Sequence, residues 1–351
     1  MYPDIQTILR EFAEKFSPSY QKARIGRSVV MAHYDGGRQL HCPVMREFDL
    51  LRHVYQANAQ LHKGVLIGPG DDMAMIEMGG SRLLAAVDQV VDGRHFRLQS
   101  TPIELIGRKA ITRSLSDIAA MAAVPLGTLA AAVLPPDFGE DRANALFDAM
   151  RSTAAEFDSP LIGGDIAFHG DASHPLVCSV TVLARPLAQL NGRAITRAGA
   201  KAGDRICVTG PLGGSLESNG LGRHLTFEPR IQLAQQLAIH YSDRLHAMID
   251  ISDGLGRDAS HIAEMSGVQI RLYADRIPLN PGCDWRRALS DGEDYELSFA
   301  VQPPVDDRMG ESTVFEVGEV VSPSMDDRRS VVVVADGREF SGDQLGWQHT
   351  S

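Results

Sequence analysis

Short runs of apolar residues alternate along this chain with stretches in which apolar positions recur every three or four residues, and this predicts a mixed α/β architecture. Leu83 to Val87 (LLAAV), Leu129 to Leu134 (LAAAVL) and Leu176 to Leu183 (LVCSVTVL) read as buried strands. Between them, Pro102 to Met121 sets Ile103, Ile106, Ala110, Leu115 and Ile118 at about helical spacing behind an initial proline. Glu140 to Phe157 repeats the pattern. The segment from Ala184 to Asp204, rich in Gly, Arg and Pro, breaks this series and marks a boundary.

A second series follows. It has strand-like Arg205 to Val208, a helix near Pro229 to Tyr241, strand-like Ala247 to Ile251 and a helix opening at Ser252 to Leu255. Strands are then expected around Val268 to Tyr273, Tyr295 to Val301 and Val314 to Val320, with a closing hairpin at VVVVADGREF. Residues 1–46 fit neither series. They read as an appended, poorly ordered segment, with Met45 as an alternative translation start.

Composition narrows the class of protein. At 351 residues, 44% hydrophobic and 23% charged, the chain is long enough for two packed domains. No stretch approaches the roughly 20 uninterrupted apolar residues of a membrane span, and the charged start MYPDIQTILREFAEKF is no signal peptide, so a cytoplasmic protein is expected. Cys42, Cys178, Cys207 and Cys283 lack CxxC spacing, which argues against a zinc site or a disulfide framework. The formal charge of -11 opposes nucleic acid and anionic membranes as partners and suits a protein that binds cations.

The carboxylates carry the chemistry. Asp71 and Asp72 end the glycine-containing turn GPGDD, Asp88 follows the apolar run LLAAV, and Asp117 lies inside the helical pattern SLSDIAAM. A buried carboxylate needs a cation, a donor or a proton, and few Lys or Arg residues stand nearby in sequence to serve all of these. Asp165 comes after LIGG, at an expected strand end. Asp250, Ser252 and Asp253 follow an apolar strand and open a helix, where free N–H groups attract phosphate. Taken singly, each reads equally well as a turn or cap residue. Hard oxygen donors of this kind select Mg²⁺, which bridges to phosphates. No GxxxxGK[ST] and no protein-kinase motif set occurs, so a P-loop is excluded; VTGPLGGS, from Val208 to Ser215, reads as a flexible loop or a nucleotide contact.

Read in order, IGPGDD, VDQVVDGRHF, IGRKAITRSLSDIAAMAAVPLG, LIGGD, TRAGAKAGD, VTGPLGG, MIDISDGL and DGEDYEL resemble thiamine-monophosphate kinase, across residues 47–351. That family sits in the aminoimidazole ribonucleotide synthetase-like group, which binds ATP without a P-loop. The resemblance implies a two-domain fold of α/β and α+β halves. Residues 47–187 would be an N-terminal ATP- and magnesium-binding α/β domain dimerising through its sheet, and 193–351 a C-terminal α+β domain.

It also implies roles. Asp72, Asp88, Asp117, Asp165, Asp250 and Asp253 match magnesium ligands, with Asp71 as neighbour, and Asp72, Asp117 and Asp253 would position metal and phosphate without any general base. Gly164, Asp165, Arg197 and Ser252 match nucleotide contacts; His95, Glu293 and Trp347 match thiamine-phosphate contacts. The implied reaction moves the γ-phosphoryl group of ATP onto thiamine monophosphate, in a homodimer, with several Mg²⁺ ions.

The chain departs from the pattern in three places. Ala86 and Val87 stand where hydroxyl residues commonly precede Asp88, Asp291 replaces a glycine before GEDYE, and IAFHGD follows Asp165 in place of a threonine-rich turn. These motivate the alternatives of a catalytically impaired ATP- and magnesium-binding homologue or a sister enzyme with another acceptor. Selenophosphate synthetase would need a reactive Cys in its glycine-rich start, and the hydrogenase-maturation relative a cysteine-bearing tail; this chain ends WQHTS.

Overall fold

The computed structural model describes residues 63–323, 327–343 and 345–346, together with two short antiparallel ladders, Ala23–Ile25 with Ser28–Val30 and Tyr34–Asp35 with Arg38–Gln39. Most of the segment read as appended, including Met45, lies outside the described residues, as does Trp347. Leu51–Gln348 forms one compact unit.

The first sheet has six strands: β1 (Val65–Ile67), β2 (Ala74–Met78), β3 (Ser81–Val91), β4 (Val124–Leu134), β5 (Leu161–Phe168) and β6 (Val177–Arg185), in the order β1-β2-β3-β6-β4-β5. Only the β4·β5 pairing is parallel. Period-two alternation decides its faces. Leu84 and Val90 of β3 and Cys178, Val180 and Val182 of β6 point inward and are buried. They pack on helix α1 (Ile103–Ala120), whose Ile106, Ala110, Ile111, Leu115 and Ile118 are all buried. Helix α2 (Glu140–Glu156) packs beside α1, close enough that a Cβ at Gly107 would lie 2.7 Å from Leu146 O. The opposite face of the sheet is open, with Ile76, Met78, Val87 and Leu129 exposed.

The second sheet has seven strands, β7 (Arg205–Val208), β8 (Leu245–Asp250), β9 (Gln269–Tyr273), β10 (Leu297–Val301), β11 (Phe315–Val321), β12 (Val331–Ala335) and β13 (Arg338–Ser341), in the order β8-β10-β7-β11-β9-β12-β13. It is buried on both sides. Tyr241, Phe299 and Leu297 belong to the same core as the first sheet, whereas Ile249, Ile262, Ile270 and Val331 form a second core with helix α4 (Leu255–Ser266). Helices α3 (Ile231–Tyr241) and α5 (Trp285–Ser290) complete the described elements used below.

The periodic segments fall where their patterns place them, with shifts of at most five residues at their ends. The short strands β1 and β2 and helix α5 carry too little pattern to be read in advance. Asp165 is a larger difference: it sits inside β5 instead of at a strand end, paired with Ala131. The two preceding glycines hide the strand in the sequence, and a Cβ at Gly164 would collide with Ala130 O, so the close approach to β4 demands glycine there.

Candidate active site

Three elements deliver carboxylates to one place. Asp72 comes from the turn between β1 and β2, Asp117 from α1, and Asp250 from the end of β8. One carboxylate oxygen from each lies within 4.8 Å of the others. Asp71 and Asp72 are held by Arg197: its backbone N–H donates to Asp71 Oδ1 at 3.2 Å, and Nη2 donates to Asp72 Oδ1 at 2.6 Å. Ser116 Oγ donates to Asp250 Oδ2 at 2.6 Å.

These groups lack enough positive charge. Burial and the neighbouring Asp72 raise the Asp71 carboxyl to about 6. Burial, then Asp72, raises Asp250 to about 7, against the hydrogen bond from Ser116. Asp117 is pushed well above the usual carboxylate range by burial, then by Asp88, Asp250 and Asp72. Asp72 Oδ2 is buried with no hydrogen-bond partner. Hard oxygens converging from three elements, with more carboxylates than the Arg197 guanidinium can offset and an unpartnered Asp72 Oδ2, fit a divalent cation such as Mg²⁺.

Asp88 approaches the same group from β3 and meets Arg113 Nε at 3.4 Å. Sequence reading missed this cation and understated the role of Arg197. The signal was present in IGRKAITRSLSD: Lys109, Arg113 and Asp117 recur every fourth residue and so share one face of α1. Asp253 lies beyond Asp250 before α4, which opens on Gly254 with no side-chain cap, so neither carboxylate serves as a cap. Its backbone N–H donates at 3.1 Å to Asp258, a further buried acid that the sequence reading passed over. Burial and then Asp253 push the Asp258 carboxyl well above its ordinary range.

Asp165 is not brought into this group. It pairs across the sheet with Ala131, Ala131 with Ser179, and Ser179 with Gln89, which sets it in the row of Gln89 on the exposed face, opposite Asp88. The same alternation separates the two departures next to Asp88. Ala86 shares the inner face, whereas Val87 points outward and is 64% exposed, so a hydroxyl there would face away from the carboxylates.

The DGEDYE segment forms the other wall. Gly292 has φ +71°, and a Cβ there would lie 2.7 Å from Ser252 O; Glu293 N donates to that same carbonyl at 2.7 Å. Glu293 and Tyr295 both hold positive φ, a conformation that side chains resist and that packing must impose. Each acid of the motif has its own cation. Glu293 meets Lys109 at 2.6 Å, Asp294 meets Arg223 at 2.9 Å, and Glu296 is gripped by Arg230. Asp291 turns away from Glu293 to accept from Gly214 N and to pair with Arg287, both at 2.9 Å, so its added charge is absorbed locally. Gly213 N donates to Asp294 in the same way. Those two amides of the glycine-rich loop are thus engaged by carboxylates within the protein. His95 folds back on its own turn, its Nδ1 accepting from Val91 N at 3.0 Å.

Cys178, Cys207 and Cys283 are free thiols. Among the described residues no helix is long and apolar enough to cross a membrane.

This two-sheet fold with its acidic site defines the class of AIR synthase related proteins, and residues 70–185 match that family's N-terminal domain. The chain is 35% identical over 257 residues to the thiamine-monophosphate kinase of Rhodopirellula baltica, covering 68% of this chain and 77% of that protein. It is 31% identical over 333 residues to that of Salmonella typhimurium, covering 86% and 98%. A solved structure described as AaThiL complexed with AMPPCP and TMP superposes with a TM-score of 0.71 at 27% identity, covering 87% of this chain and 97% of that one. The chain belongs to the thiamine-monophosphate kinase family.

Proposed function

We propose that this chain phosphorylates thiamine monophosphate with ATP, giving thiamine diphosphate and ADP by direct in-line transfer. The observation that carries the reading is the convergence of Asp72, Asp117 and Asp250 within 4.8 Å, in a chain whose relatives are thiamine-monophosphate kinases. Asp72, Asp88, Asp117, Asp250 and Asp253 would hold magnesium, several ions in all, with Asp71 beside them. Magnesium bound there would supply the positive charge that lets two phosphate-bearing substrates approach.

The protein's own groups do the rest by placement. The acceptor phosphate is already an anion near neutral pH and needs no general base. Arg197 orients Asp71 and Asp72 and would offset charge on the nucleotide, with Ser252 beside it. His95 and Glu293 bound the thiamine-phosphate side, to which Trp347 would add an aromatic face. Asp165 would contact nucleotide only from the exposed side of the sheet, whereas Gly164 lies in the row of Ala130 and Asp88 on the other face. We further propose that this side, with Ile76, Met78, Val87 and Leu129 exposed, packs against a second copy, that residues 47–187 and 193–351 act as two domains, and that the protein works in the cytoplasm.

Incubating purified protein with ATP, Mg²⁺ and thiamine monophosphate and separating the products by chromatography tests the reading. Thiamine diphosphate is expected. Retained ATP binding with no product would instead favour an impaired homologue, and turnover with a different phosphate acceptor a sister enzyme.

A further inference from the structure

Lys109 is the one lysine buried outright among the described residues, and its side chain has no exposed surface. An ammonium carries three donors, and here three acceptors meet them. Nζ donates to His95 O at 2.7 Å, to His224 Nδ1 at 2.7 Å and to Glu293 Oε1 at 2.6 Å. The geometry fixes the state of each partner. His224 must be neutral with its proton on Nε2, which lies 3.3 Å from Gly220 O, and burial followed by the Lys109 charge lowers its pKa accordingly. Glu293 must be ionised: burial pushes its carboxyl upward, but the Lys109 charge and hydrogen bond hold it below the usual value. Arg113, one turn along α1, adds positive charge beside the lysine.

A lysine near a phosphoryl-transfer site would ordinarily be read as a phosphate anchor. This one has no donor left to offer. Its three acceptors belong to three separate segments, the DGRHF turn after β3, the 3₁₀ turn Arg223–Leu225, and the DGEDYE loop held at positive φ. None of these is adjacent to another in sequence.

We infer that Lys109 is a positioning residue, which locks the His95 turn and the Glu293 loop into one geometry so that the acceptor side of the site is preformed. The inference rests on the reading that His95 and Glu293 face thiamine monophosphate. Losing the ammonium frees both walls together, which raises the cost of ordering them around the acceptor while leaving the Arg197 and carboxylate side intact.

The test combines kinetics with hydrogen exchange on the full chain. Lys109→Met is expected to raise the KM for thiamine monophosphate by about tenfold or more while the KM for ATP stays within about twofold. The double variant Lys109→Met with Glu293→Gln should be no worse than Glu293→Gln alone, because the lysine acts through that carboxylate. Amide exchange should quicken in both the 92–96 and 291–296 segments and stay unchanged in α1. Should Lys109→Met fail to fold, Glu293→Gln and His224→Gln must reproduce the coupled exchange, and exchange confined to one segment in either overturns the inference. Equal rises in both KM values, or a wild-type KM for thiamine monophosphate, would also overturn it. Inactive wild-type protein would refute the functional reading, and the exchange pattern would still decide whether Lys109 couples the two walls.

Discussion

The Nη2 of Arg197 lies 2.6 Å from Asp72 Oδ1, joining residues 125 apart in sequence, while the backbone N–H of the same arginine donates to Asp71. One residue thus restrains both acids of the GDD turn. Its guanidinium and that of Arg113, which meets Asp88, are the positive charges set against these acids. Arg197→Ala is therefore expected to raise the KM for ATP and to destabilise the fold by about 3 kcal/mol, since it strands the buried Asp72 carboxylate. Titration with a nonhydrolysable nucleotide and chemical denaturation measure the two effects. Unchanged nucleotide affinity would remove Arg197 from the phosphate side.

Asp117 sits where repulsion is strongest, with Asp88, Asp250 and Asp72 all acting on it. Replacing it by asparagine keeps the shape and removes the charge. Asp117→Asn should lower turnover by about a hundredfold or more, while the Tm of the metal-free protein holds or rises, because a site built for a cation stores repulsion when none is bound. A drop in metal-free Tm together with normal turnover would contradict the assignment.

How the metal-free fold responds to pH follows from the same charges. Asp71 and Asp250 are raised to about 6 and about 7, so the folded protein keeps protons that the unfolded chain has lost above about pH 4. Their contribution to stability is greatest below that pH and is lost as pH rises through the folded values. In EDTA, the Tm is expected to fall between about pH 5 and about pH 8, and millimolar Mg²⁺ should restore more at the higher pH, where the carboxylates are ionised. Differential scanning fluorimetry over that range reads both. An equal magnesium shift at each pH would separate metal binding from these acids.

Much of this arrangement is legible in the amino-acid sequence, and the exceptions have physical causes. Helix α1 carries a strong three-to-four period, and its apolar face fixed its position. Asp72, Asp117 and Asp250 could be grouped from the ordered motifs. The cations opposite them were harder to see, because pairing partners such as Arg113 with Asp88 or Arg230 with Glu296 are set by packing between elements, which no local spacing encodes. Asp258 escaped notice because an acid in the first turn of a helix is so ordinary there. The face taken by Asp165 depends on strand register, and the glycines before it erased the alternation from which register is read.

The exposed face of the first sheet provides a separate prediction. Val87, Thr181 and Leu129 form one cross-strand row on it, and both apolar members are open. If a second copy covers this row, Val87→Glu buries a charge in the interface and should give monomers in light scattering while the isolated fold keeps its Tm. An unchanged mass would locate any interface elsewhere.

Strand β3 thus serves two masters on consecutive residues, with Asp88 turned to the acids and Val87 to the open face. Its reading frame is consequently more constrained than its composition. Inserting or deleting a single residue between Leu84 and Asp88 would leave the composition almost unchanged, yet carry the carboxylate to the outside and a valine into the charged site. Exchanges of residue that leave the segment's length untouched preserve that arrangement; a change of length does not.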